Sequence, residues 1–196
     1  MKTAMAAAGT AIAILLYALL FSGTQAQAQA ETTEVVTTSK VPSILPACKT
    51  VGGGSVFFDV QFCVEALGSD DRSADAGMNY GAYSAIAADL LTANATTTAA
   101  KIDALLLRRG NDATARCLRS CQGLYGGVVR RQPGCAAAVR GRRKGEATSC
   151  LERAASAAME CEDGFGKSKV ASPVTMENDD AFKLAKLAVA LLTMAH

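Results

Sequence analysis

Cys135-Ala136-Ala137-Ala138-Val139-Arg140-Gly141-Arg142-Arg143-Lys144-Gly145-Glu146-Ala147-Thr148-Ser149-Cys150 is a basic, glycine-flanked turn between two apolar arms, each ending in a cysteine. Between two helical patterns, such a turn reads as the tip of an antiparallel helical hairpin. Working outward, the arm before it carries Leu118, Cys121, Tyr125, Val128 and Val129 at helical spacing, with Asp112 placed as its cap. Pro133-Gly134 disturbs this arm. The arm after the turn carries Ala147, Cys150, Leu151, Ala154, Ala158 and Cys161 on one stripe and reads as ending at Gly164.

An antiparallel hairpin constrains cysteine pairing, because facing positions keep a constant sum of residue numbers. Cys121 with Cys161 and Cys135 with Cys150 differ in that sum by three. The offset is roughly 4–5 Å at ~1.5 Å per residue, and a kink at Pro133 could absorb it. Cys117 would face residues 165–168, where no cysteine lies, and is expected to be free. The rival to Cys135–Cys150 is Cys117–Cys135, which requires the helix to reverse at Pro133. The two remaining cysteines, Cys48 and Cys63, would clasp a short hairpin across the Gly52-Gly53-Gly54 turn.

The rest of the chain supplies the other bundle helices. A long helical pattern with Tyr80, Tyr83, Ala87, Leu90, Leu91, Ile102, Leu105 and Leu106 runs to Arg109, with Gly110 as its stop and Thr96–Thr98 as a place to bend. A last helix starts near Asn178 and places Ala181, Leu184, Leu187, Ala188, Leu191 and Leu192 on one face. The expectation is an all-α, antiparallel four-helix bundle with an N-terminal disulfide-clasped helical hairpin. The hairpin spans 44–68 and the bundle 74–194, together forming a domain over 44–196.

Met1-Lys2 and the apolar run to Phe21 read as a signal peptide over 1–30, with A-x-A cleavage sites in Ala26–Ala30. An uncleaved anchor is the alternative. Residues 31–43 are polar and Thr-rich and read as a flexible lead. Export places the seven cysteines where disulfides form. The sequence has 20 basic and 18 acidic side chains, one of the bases being Lys2 in the leader. So near-neutral a balance argues against a nucleic-acid binder. No apolar run of transmembrane length follows the leader, so no membrane partner is expected, and a monomer is. Asn94-Ala95-Thr96 is an N-glycosylation sequon.

The residues now on the page resemble the plant invertase/pectin methylesterase inhibitor family over essentially the whole mature chain. Phe62-Cys63-Val64-Glu65-Ala66-Leu67 resembles its second hairpin cysteine, Cys121-Gln122-Gly123-Leu124-Tyr125 its Cys-x-x-x-Tyr, and Cys161-Glu162-Asp163-Gly164-Phe165 its Cys-x-x-x-Phe. Ser172-Pro173-Val174-Thr175 resembles the start of its final helix. Asp180-Ala181-Phe182-Lys183-Leu184 resembles that helix in the invertase-inhibitor subgroup that includes pollen proteins. The resemblance implies pairing of Cys48 with Cys63 and of Cys121 with Cys161. It also implies a secreted proteinaceous inhibitor of the cell wall, without chemistry or cofactor of its own. Such a protein would dock over the substrate cleft of pectin methylesterase or, alternatively, of cell-wall or vacuolar acid invertase. Two departures stand out. The Cys48–Cys63 spacing is longer than the common pattern. The Pro-Lys-Phe triplet of invertase inhibitors falls on Arg143-Lys144-Gly145, so its apolar anchor is missing. The missing anchor favours pectin methylesterase, whereas the subgroup resemblance favours invertase.

Little here suggests catalysis. The single histidine is the terminal His196, a weak candidate base. Cys117 and Cys121 lie one turn apart but lack the two further ligands a metal needs. Glu160, Glu162 and Asp163 read as a solvated face rather than as paired catalytic carboxylates. Arg140, Arg142, Arg143 and Lys144 form the densest basic cluster, and Arg142, Arg143 and Lys144 are the candidate contact with an acidic partner, a solvated turn being the alternative. Readings from other classes are a lipid or small-ligand carrier, more distantly, and an enzyme.

Overall fold

The computed structural model describes residues 41–196, with side chains from Ile44 onward. The expected signal peptide and the lead up to residue 40 lie outside the described residues. Seven helices follow in the order α1 (Val41–Gly52), α2 (Val60–Gly68), α3 (Arg72–Asp75), α4 (Tyr80–Leu107), α5 (Ala113–Arg140), α6 (Lys144–Lys167) and α7 (Thr175–Met194). No strand occurs among the described residues. The four long helices form the bundle, each packed on its neighbours in the chain, and α4 closes the ring against α7.

Local chemistry starts each element. Asp59, Asn79 and Asp112 cap α2, α4 and α5 by accepting from the backbone N–H of Phe62, Ala82 and Ala115. The turn after α1 is tight: a Cβ at Gly53 would stand 2.6 Å from the Lys49 carbonyl oxygen, and one at Gly52 3.1 Å from the Val60 backbone. Only glycine fits at Gly53. The bundle core is filled by Tyr83, Tyr125, Phe165, Leu91, Leu151 and Leu187, all fully buried. Between them lie small residues such as Ala87, Ala147, Ala158 and Ala188. These let the helices approach closely, which is why so alanine-rich a chain can form this packing.

Disulfides join Cys48 to Cys63, Cys121 to Cys161 and Cys135 to Cys150, with Cα–Cα separations of 5.5, 4.8 and 5.7 Å. Cys117 is unbridged and buried. Its Sγ lies 3.4 Å from the Gly164 carbonyl oxygen and 3.2 Å from Ser168 Oγ. Pro133 stays inside α5, which does not reverse there, so Cys135 meets the facing helix rather than Cys117. Nor do the threonines break α4. Thr92, Thr96, Thr97 and Thr98 donate to the carbonyls of Ala88, Thr92, Ala93 and Asn94, one turn back.

Helix ends are where the structure departs most from the sequence reading. Helix α6 does not stop at Gly164; it runs on to Lys167, and the left-handed residue beyond it is Lys169 (φ 52°). The Lys169 N–H donates to the Gly166 carbonyl and the Val170 N–H to the Phe165 carbonyl, the double bond pattern of a Schellman close. Helix α5 ends the same way, with Arg142 (φ 53°) in the left-handed position. There the Arg142 N–H donates to the Val139 carbonyl and the Arg143 N–H to the Ala138 carbonyl. A basic residue thus occupies a position that glycine fills at lower cost. Lys169→Gly is expected to raise stability by about 1 kcal/mol, read as a rise of ~2–4 °C in Tm. A drop in Tm would show that the lysine makes a contact that offsets its backbone strain.

Candidate functional site

The turn between α5 and α6 carries the bases expected to meet a partner, and the structure shows how each is held. Arg140 donates to Asp89 at 2.6 Å, and Arg72 bonds the other Asp89 oxygen at 2.7 Å. Arg142 Nη1 donates to the main-chain oxygen of His196 at 2.9 Å, tying the turn to the C-terminus. Arg143 Nε bonds Glu146 Oε2 at 2.7 Å. That bond raises the guanidinium's pKa and holds the Glu146 carboxyl below its ordinary range. Lys144 is exposed and has no ion-pair partner within the described residues. Gly141 has little room, since a Cβ there would lie 2.6 Å from Arg143 Nη1. The three candidate residues therefore sit together on one short turn. Arg142 and Arg143 are oriented by the protein itself, while Lys144 points its charge to solvent. These pairs are exposed and contribute little to stability; their effect is to fix where the charges stand.

Of the carboxylates near the end of α6, Glu160 and Asp163 are exposed, whereas Glu162 is half-buried and bonded within the fold. Glu162 accepts from Asn178 Nδ2 and from Thr175 Oγ1, both at 2.7 Å. Asn178 Oδ1 in turn accepts from the buried Tyr125 hydroxyl at 2.8 Å. The chain Tyr125–Asn178–Glu162–Thr175 locks α5, α6 and α7 together. Burial first, then the charges of Glu177 and Glu162, pushes the Tyr125 hydroxyl above its ordinary pKa. Beside this network an open groove of about 390 Å³ runs between α6 and α7, lined by Met159, Asp163, Met176, Asp179 and Phe182. Sequence reasoning missed it, although Met176, 78% exposed, is an unusual residue to leave in water. Near it Phe57 of the hairpin turn packs edge-on against Phe182 at 5.8 Å, with Lys186 Nζ 4.6 Å from the Phe57 ring.

Asn94 and Thr96 of the sequon lie in mid-α4, with Asn94 half-buried and its carbonyl accepting from Thr97 and Thr98. No group of three or more His, Cys, Asp or Glu side chains that could hold a metal occurs among the described residues. No helix among them is long and apolar enough to cross a membrane.

A four-helix bundle with a disulfide-clasped hairpin, charged turns at its ends and grooves on its outer faces defines a helical scaffold suited to contact through its surface. The chain belongs to the plant invertase/pectin methylesterase inhibitor family, which it matches over residues 43–191. Members of this family are protein inhibitors rather than enzymes, and the partner at family level is an invertase or a pectin methylesterase. The chain is 29% identical over 145 residues to a "Putative invertase inhibitor" of Platanus orientalis, covering 74% of this chain and 84% of that protein. It is 28% identical to a protein of the same name from Platanus acerifolia, covering 74% of this chain and 80% of that protein.

Proposed function

We propose that this protein inhibits pectin methylesterase in the plant cell wall by docking over the enzyme's substrate cleft. The observation that carries the choice is the α5–α6 turn. It offers Arg142, Arg143 and Lys144 and no apolar side chain, where the resemblance to invertase inhibitors calls for Pro-Lys-Phe. A turn of oriented bases suits an enzyme surface rich in carboxylates, but it gives a narrow cleft no anchor to bury. Three disulfides support an oxidising, extracellular site of action, as does the reading of residues 1–30 as a signal peptide. The second reading is inhibition of acid invertase, and the names of the two plane-tree relatives favour it. A lipid carrier is disfavoured by the side chains that fill the bundle interior, Tyr83, Tyr125 and Phe165 among them.

The test is a titration of the oxidised mature chain against a plant pectin methylesterase and a plant acid invertase, side by side at mildly acidic pH. Loss of demethylation alone is the expected result. Loss of sucrose cleavage alone would transfer the function to invertase. The variant Arg142→Ala/Arg143→Ala/Lys144→Ala should weaken inhibition about tenfold or more, with the loss shrinking as salt is added. Inhibition untouched by the triple variant would leave the turn without a docking role.

A further inference from the structure

Leu107-Arg108-Arg109-Gly110-Asn111-Asp112 joins α4 to α5, and every one of these residues is exposed, Leu107 to 88%. The main chain there is lightly held. The Arg108 and Arg109 N–H groups close the last turn of α4 on the Leu105 and Leu106 carbonyls. The N–H groups of Gly110, Asn111 and Asp112 donate to no acceptor among the described residues. Side chains add little: Arg116 donates to the Asn111 main-chain oxygen at 3.2 Å, and Arg109 meets Asp112 at 3.4 Å, both exposed contacts of small strength. Other exposed basic turns are bonded throughout. At the α5–α6 turn the N–H groups of Gly141, Arg142, Arg143 and Lys144 all donate to main-chain carbonyls, and at the close of α6 those of Ser168, Lys169 and Val170 do so. The disulfides set the α4–α5 loop apart as well. Cys48–Cys63 lies wholly ahead of it, and Cys121–Cys161 and Cys135–Cys150 lie wholly after it. A break in the α5–α6 turn would leave its two pieces joined by two bridges. A break in the α4–α5 loop leaves two pieces with no covalent link. Packing of the buried Tyr83, Leu91 and Ile102 then holds α4 in place, with the Ser84 hydroxyl donating to the Ala188 carbonyl at 2.8 Å and Gln122 to Asp103 at 2.7 Å.

We propose that this loop is a processing site for an endoprotease that cleaves after arginine, and that the cut inactivates the inhibitor. Water adds across the Arg109–Gly110 peptide bond, leaving a carboxylate on Arg109 and an ammonium group on Gly110. Exposed loop tips are the preferred sites of nicking. Such a protease binds its substrate as an extended strand through main-chain N–H and C=O groups, so groups already bonded in a helix or turn must first be released. The residues from Gly110 to Asp112 need no such release. The Arg109 guanidinium suits a specificity pocket with a carboxylate at its base. Leu107 offers an apolar side chain two positions ahead of it, and Gly110 places no side chain on the leaving side. Once cut, α4 and the hairpin form a separate molecule from α5, α6 and α7, and the high effective concentration that the loop gave them is lost. Inactivation rests on the chain acting as an inhibitor and not on the choice of target enzyme.

The oxidised mature chain is digested with a trace of trypsin, and the fragments are weighed by mass spectrometry without reductant. The first cut is expected at Arg109–Gly110, giving two fragments that separate in denaturant alone. Arg108→Gln/Arg109→Gln should slow the first cut about tenfold or more, whereas Arg142→Gln/Arg143→Gln/Lys144→Gln should change its rate less than about twofold. A first cut in the 140–144 turn, or after Lys167 or Lys169, would overturn the site, as would equal rates in the two variants. The purified cut protein tests the inactivation. Its Tm should fall as it is diluted, because unfolding now releases two molecules, while the Tm of the intact chain stays constant. Its inhibition of pectin methylesterase and of acid invertase should fall about tenfold or more below that of the intact chain at the same dilution. Either a Tm independent of dilution or full inhibition by the cut protein would overturn the inactivation. Inhibition by the intact chain, scored alongside, separates failure of this proposal from failure of the function on which it rests.

Discussion

Replacing Cys121 and Cys161 together by alanine is expected to cost about 3–4 kcal/mol of stability. The two cysteines stand 40 residues apart in sequence and are 0% and 1% exposed, so the bridge closes a long loop from inside the core. In the chain-entropy account the cost grows with loop length. Here it falls toward the lower end, because Cys135–Cys150 lies within the same loop and already shortens it. At ~2–4 °C per kcal/mol for a domain of this size, Tm should fall by about 10 °C. Both cysteines are removed so that neither is left to pair with Cys117, one turn from Cys121. Thermal and urea unfolding of the oxidised proteins measure the effect. A loss under about 1 kcal/mol would mean that helix packing alone holds α5 against α6.

Tyr125→Ala is expected to cost about 4 kcal/mol, the value for removing a large buried aromatic from a packed core. Tyr125→Phe keeps the ring and removes only the hydroxyl, leaving Asn178 Oδ1 without its donor, for about 1–2 kcal/mol. The difference between the two separates packing from hydrogen bonding. The phenol also predicts a pH dependence. Its pKa is raised in the folded state by burial and by nearby carboxylates, so the folded form keeps its proton where the unfolded chain has lost it. The stabilisation is fully present below the ordinary tyrosine value of ~10 and is lost as pH climbs toward the raised value. Tyr125→Phe should flatten that alkaline decline. Equal alkaline slopes in the two proteins would place the sensitive group elsewhere.

Tyr125 also shows how far the sequence could be read. Its position one turn after Cys121, on the apolar stripe, marked it as core. The partner that satisfies its hydroxyl, Asn178, lies 53 positions away and carries no periodic signal. The helical hairpin around residues 141–143 was legible because local turn chemistry and apolar spacing agree there. Helix ends were less legible. Glycine is only the cheapest residue at a left-handed position, not a required one, so Gly164 stood out while Lys169 took the position, and α4 ends at Leu107, short of Gly110, with no left-handed residue at all. Pro133 was read as a disturbance, yet α5 passes through it, since neighbouring packing outweighs one lost backbone bond. Charge was the least legible property. A run such as Arg140–Lys144 is conspicuous in one dimension, but which of its bases are already paired depends on Asp89, Glu146 and the chain terminus.

The three bridges are arranged as one isolated clasp and one nested pair. No disulfide joins the hairpin of α1 and α2 to the bundle, and Cys135–Cys150 closes inside the span of Cys121–Cys161. During synthesis the hairpin thiols emerge and can oxidise before either nested bridge has both of its sulfurs. The inner member of the nest then brings the outer pair near each other, giving maturation a built-in order. A reductant added slowly to the finished protein should release these crosslinks in separate stages, with the hairpin clasp opening independently of the other two.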